Sequence, residues 1–145
     1  MKYISSLFVL IALFTVGTVK AQPSSKLNGT SYTFVMKDAV NGGEELFDQI
    51  TFTNNQVSSQ TFSKAGYSSS KFIEKNGVNT SNFEFTLSSA NEGTRLYRGK
   101  VEGTNIDGTI IITGKNGAQV TYAFRGMTTA EWNRTQEMKK ANNKN

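Results

Sequence analysis

The chain contains no histidine and no cysteine. That removes the usual general base near neutral pH, the thiol nucleophile and the common transition-metal ligands. Hydroxyls, amines and carboxylates remain. Ser63-Lys64 and Ser70-Lys71 each set a hydroxyl beside an amine, but adjacent strand residues point to opposite faces, so neither pair can meet. The carboxylates are scattered among turns and alternating positions. No convergent set of groups emerges, and the sequence argues against an enzyme.

One acidic turn has the right atoms for a hard cation. NGGEELFD, residues 41–48, gathers Asn41, Glu44, Glu45 and Asp48, all oxygen donors of the kind calcium prefers. Their spacing does not follow the twelve-residue EF-hand loop, and a solvated hairpin connection accounts for the same residues. No metal and no cofactor is expected. The formal charge is +5, with the excess largely in the tail, where Arg134, Lys139, Lys140 and Lys144 outnumber Glu131 and Glu137. So modest an excess, with no aromatic-basic motif, gives no reason to expect nucleic acid as a partner.

These side chains must be placed by a fold, and the first residues do not belong to it. Lys2 precedes the apolar run of residues 7–16, and Val19-Lys20-Ala21 sets small residues where a signal peptidase reads. Residues 1–21 therefore read as a secretory signal peptide. The run is too short for a membrane-spanning helix, which needs about 20 apolar residues. The expected product is a periplasmic or extracellular protein, residues 22–145, forming one domain held together by core packing without disulfides.

Turn signals then recur at short intervals: Asn41-Gly42-Gly43, Asn54-Asn55, Ala65-Gly66, Asn76-Gly77, residues 90–93, Gly103-Thr104 and Asn116-Gly117. Asn-Gly is the strongest, because a two-residue hairpin turn needs positive φ at both central positions. The turns separate eight expected strands, at 30–38, 45–53, 56–63, 67–74, 81–89, 94–102, 105–113 and 118–126. Loops this short make them antiparallel neighbours.

The faces agree with the period of two. Phe83, Phe85 and Leu87 share one side of their strand; Tyr32, Phe34 and Met36 share one side of theirs. Leu46, Ile50 and Phe52 do the same, with Asp48 breaking the set. Ile106, Ile110 and Ile112 line the seventh strand, and Val120, Tyr122 and Phe124 the eighth. An all-β, eight-stranded antiparallel up-and-down barrel is expected, since closure removes both edges; a β-sandwich is the alternative. A helix should follow over about 128–140. Thr128 and Glu131 have capping-box spacing, and Met127 with Trp132 fits a hydrophobic staple. Trp132 is thus expected as a structural pin against the barrel wall.

A leader, eight sequential strands and a trailing helix resemble the lipocalin-like, or calycin, barrels of secreted bacterial proteins. Lipocalins carry Gly-x-Trp at the first strand and an arginine near the end of the last. The matching places hold Gly29-Thr30-Ser31-Tyr32, with Tyr32 one residue later than the tryptophan, and Phe124-Arg125-Gly126. VEGTNIDGTIII, residues 101–112, also looks like strand pairs of such domains. The resemblance implies a small, mainly hydrophobic ligand in the barrel mouth; a monomer binding a hydrophobic or amphipathic molecule is expected. On this reading Tyr32, Phe34, Phe52, Phe85, Tyr97, Tyr122 and Phe124 are its apolar walls, and Arg125 is a structural lid at the closed end.

Eight-stranded barrels lie near the limit between filled and hollow. The serines at 58, 59, 63, 68, 69 and 70 either line a lopsided pocket opposite the aromatics or face solvent. Two alternatives to a ligand binder stay open. One is a filled-barrel module offering its outer face to a protein or glycan, with Arg95, Arg98 and Lys100 as a contact strip. The other is a small outer-membrane barrel, apolar outside and polar inside.

Overall fold

A computed structural model describes residues 25–143; the signal-peptide reading, on residues 1–21, lies outside them. The strands are β1 (Ser31–Asp38), β2 (Gly42–Thr53), β3 (Gln56–Ser59), β4 (Ser70–Asn76), β5 (Thr80–Ser89), β6 (Gly93–Glu102), β7 (Asn105–Thr113) and β8 (Gln119–Thr128). A four-residue helix, α1 (Gln60–Ser63), follows β3, and α2 (Thr129–Asn142) follows β8. Every strand pairs antiparallel with its sequence neighbour, and β1 pairs with β8 from Tyr32↔Thr128 to Asp38↔Tyr122. The sheet is therefore a closed up-and-down barrel, the expected architecture, and not the alternative β-sandwich.

The inward set is apolar. Phe52 meets Tyr32, Phe72, Phe83 and Phe85 edge to face at centroid distances of 4.9–6.2 Å. Phe85 stacks on Tyr97 at 4.4 Å, and Phe34 lies 4.8 Å from Phe124. Glycines thin the wall where these rings lie. A Cβ on Gly99 would fall 2.7 Å from Phe83 Cζ, and one on Gly108 2.2 Å from the Arg98 carbonyl and 2.8 Å from Phe124 Cζ. Large rings facing small residues let a narrow barrel fill. Outside, Lys37, Glu45, Arg98, Lys100, Asp107 and Arg125 are exposed. A lipid-facing barrel needs the opposite polarity.

Both ends are covered. The segment before β1 crosses one end, with Leu27 buried beneath it, Gly29 N–H donating to the Phe52 carbonyl at 2.7 Å, and Lys26 Nζ donating to the Gly77 carbonyl at 3.2 Å. At the other end α1 and Tyr67 lie over the opening. The third strand was expected to reach residue 63 but stops at Ser59. Ser59 is extended (φ −104°, ψ 134°), and its hydroxyl accepts the Phe62 N–H at 2.9 Å, turning the chain into α1 and Phe62 inward. A serine that satisfies a backbone donor this way competes with the strand ladder. The ladder between β3 and β4 is consequently two pairs long, Gln56↔Lys71 and Val57↔Ser70.

Two turn expectations exchange places. Asn54 and Asn55 both have positive φ, 52° and 59°, and make the tight turn between β2 and β3. At Asn116-Gly117 only Gly117 is left-handed, φ 79°. There the Asn116 side chain accepts the Ala118 N–H at 3.0 Å, and Gly114 N–H reaches the Ala118 carbonyl at 2.9 Å, closing a longer loop. An Asx turn has replaced the two-residue hairpin.

The capping box is also absent. Thr128 is still paired to β1 and donates its N–H to the Thr104 carbonyl at 2.8 Å, and its side chain makes no cap bond. Glu131 instead holds Arg134 at 2.6 Å. Trp132 packs edge to face on Phe47 of β2, at 6.0 Å, so α2 is pinned to the outer wall.

Candidate functional site

The seven residues expected as ligand walls face inward. Phe34, Phe52 and Tyr97 are completely buried; Tyr32, Phe85 and Phe124 are nearly so. The ring contacts just given fill the space they surround. Tyr122 alone is half-exposed, at the end covered by α1. Arg125 is exposed on the outer face of β8, opposite Asp107 and Val35 in the ladders, and covers neither end. Among the described residues, four hollows of about 250–510 Å³ mark the surface; none is lined by Phe34, Phe52, Phe85 or Tyr97, and none by Phe62, Tyr67 or Arg95.

At the α1 end, polar side chains enter the inward register. Asp48 occupies the same face of β2 as Ile50 and Phe52 and is 3% exposed. Its carboxylate accepts the Ser59 hydroxyl at 2.8 and 2.9 Å, the Gln49 N–H at 2.8 Å and the Thr61 N–H at 3.1 Å. Tyr97 Oη donates to it at 3.4 Å. Asp48 thus anchors α1 from inside. Burial pushes its pKa above the ordinary carboxylate value despite those donors. Burial, reinforced by Asp48, pushes the Tyr97 phenol well above its own.

Arg95 enters from the opposite wall. It lies in the inward register of β6 with Tyr97 and Val101, whereas Arg98 and Lys100 point outward. The expected strip of three cations is therefore divided between two faces, because one of them differs in parity from the others. The Arg95 guanidinium carbon is 3.6 Å above the Phe62 ring and 4.7 Å from the Tyr67 ring centre. Arg95 Nε and Tyr67 Oη are both buried with no hydrogen-bond partner. The rim around them is apolar. Ile112 is the ladder partner of both Arg95 and Val120, and Val120 and Leu46 are exposed although their strands aim them inward.

Of the six serines at 58–70, Ser59 alone is fully buried and Ser70 partly so; the others are exposed. At the far end, the buried Ser81 hydroxyl lies 2.9 Å from Glu74 Oε1 and 2.5 Å from Asn76 Oδ1. A hollow of about 510 Å³ is an outer-wall groove bordered by Ile73, Lys75, Glu84, Arg98, Lys100 and Asp107. Its charges answer one another, Arg98 with Glu84 at 2.6 Å and Lys100 with Asp107 at 4.0 Å. The acidic turn assembles no cation site. Asp38 caps it by accepting the Val40 and Asn41 N–H groups at 2.8 Å, while Asp48 points into the barrel.

Phe62, Tyr67 and Arg95 escaped sequence reasoning as a group, and Asp48 registered only as an interruption of its strand face and as one oxygen of the acidic turn. Parity alone marks Asp48 and Arg95 as inward polar residues, once their strand neighbours are known to face the core.

Compared with known protein families, curated proteins and solved structures, the chain matches none. The eight-stranded barrel with its trailing helix is compatible with a lipocalin-like fold.

Proposed function

We propose that this is an exported, non-catalytic binding protein that receives a small amphipathic molecule at the α1 end of its barrel, not in its centre. The observation that carries the reading is the contrast between the two regions. The centre is packed with aromatic rings. The α1 end is covered by Phe62 and Tyr67, on the stretch of wall where the ladder is two pairs long, and carries exposed Leu46 and Val120. Exposed apolar side chains around an opening mark recognition surfaces. Fold analogy alone does not assign a ligand; the polarity of this opening is what favours an amphipathic one.

A second reading uses the outer groove between β4 and β7 as a contact surface for a protein or glycan. Its size favours it, but its ion-paired, solvated side chains leave no polar demand for a partner to meet. The test is native mass spectrometry of protein taken from its host's envelope without detergent. A small molecule that co-purifies, and exchanges faster from Phe62→Ala, supports the opening as the site. A bare mass, with no uptake of added dodecanoate or dodecanol, turns attention to the outer groove. Material that leaves the membrane pellet only with detergent defeats both readings.

A further inference from the structure

The α1 end holds an arginine that stacks on two rings but pairs with no described carboxylate. Among the described residues Arg95 makes no ion pair, and its Nε is buried without a partner. Tyr67 is 5% exposed, and its hydroxyl is likewise buried and unpartnered. Such groups are rare in folded proteins, because a buried donor without an acceptor keeps its full desolvation cost. Asp48 does not relieve them. Its oxygens are taken by Ser59, Thr61, Gln49 and Tyr97. The aromatic rings above and beside the guanidinium offer their faces to the cation but accept no N–H in the guanidinium plane.

Resting on the reading that the α1 end is the binding site, we infer that Arg95 and Tyr67 hold the oxyanion head, carboxylate or phosphate, of the ligand. A guanidinium N–H and a phenol O–H can both donate to one acceptor, and because no described carboxylate pairs with this partly buried guanidinium, an anionic acceptor suits it best. Nε lies at the guanidinium edge, so the head meets it there, beside the Phe62 ring that rests 3.6 Å over the guanidinium. The tail then lies on the rim, where Ile112 is register partner to Arg95 and to exposed Val120. A charged head beside an apolar lip selects an amphiphilic acid over an alcohol of equal length.

Calorimetric titration of the protein with dodecanoate, dodecanol and inorganic phosphate tests this, with the ¹⁵N resonance of Arg95 Nε followed in parallel. Dodecanoate is expected to bind more tightly than dodecanol and to shift that resonance. Tyr67→Phe, which keeps the ring beside the guanidinium and so preserves the fold, should weaken dodecanoate about tenfold, the worth of one charge-assisted hydrogen bond. Arg95→Gln should weaken it further, and both should cost dodecanoate more affinity than they cost dodecanol. Equal affinity for acid and alcohol, indifferent to both substitutions, overturns the head assignment while the binding site itself survives. Phosphate that shifts Arg95 while neither amphiphile binds keeps the oxyanion site and makes its source a free anion. No binding of any of the three overturns site and head together.

Discussion

Asp48 stands where the period of its strand asks for an apolar side chain, and its carboxylate is held by donors from three stretches of chain. Because burial raises its pKa, the folded state binds that proton more tightly than the unfolded state does. The linked stability is complete below the unfolded value of 3.8 and is lost as pH rises through the raised folded value. Asp38 works in the opposite sense. The Asn41 and Val40 N–H groups hold its pKa down, so its contribution is present above 3.8 and fades as pH falls through the lowered value. Urea midpoints between about pH 4 and pH 7 should therefore fall more steeply for the wild type than for Asp48→Asn. Parallel curves would mean that another group titrates. A steric counterpart is Gly108→Ala, whose Cβ meets backbone at 2.2 Å; a loss of about 1–3 kcal/mol in urea unfolding is expected.

At the scale of elements, the strand faces were readable because alternation is set by the chain itself, as at Phe83, Phe85 and Leu87. The element ends were not. Ser59 ends β3 because its hydroxyl meets both a backbone donor and a carboxylate eleven residues away, and nothing in residues 56–63 announces that carboxylate. Thr128 has the spacing of a cap, yet the sheet still holds it and orients its side chain elsewhere. The two residues should behave differently. Ser59→Ala is expected to cost about 2 kcal/mol, losing a cap and stranding Asp48. Thr128→Ala should stay within about 0.5 kcal/mol, as for a surface change that breaks no bond. Thermal melts of the two variants check this, and equal losses would mean that Thr128 caps α2 after all. The candidate site was legible only in part for the same reason. Its aromatic walls follow from periodicity, but Arg95, Phe62 and Tyr67 meet only once α1 folds over the end.

At the scale of the molecule, seventeen apolar side chains among the described residues form one buried cluster running through the barrel. One core makes one cooperative unit, so fluorescence and circular dichroism should report the same transition. Phe52 touches four other rings, and Phe52→Ala is expected to lower stability by about 3–5 kcal/mol. Two separated transitions in the wild type would mean that the two ends melt independently.

The seam between β1 and β8 also imposes an order in time. A ribosome delivers β1 nearly a hundred residues before its partner, so until Thr128 has emerged the sheet stays open along two edges at once. Until the last strand arrives, those two bare edges are the places where a neighbouring chain would pair.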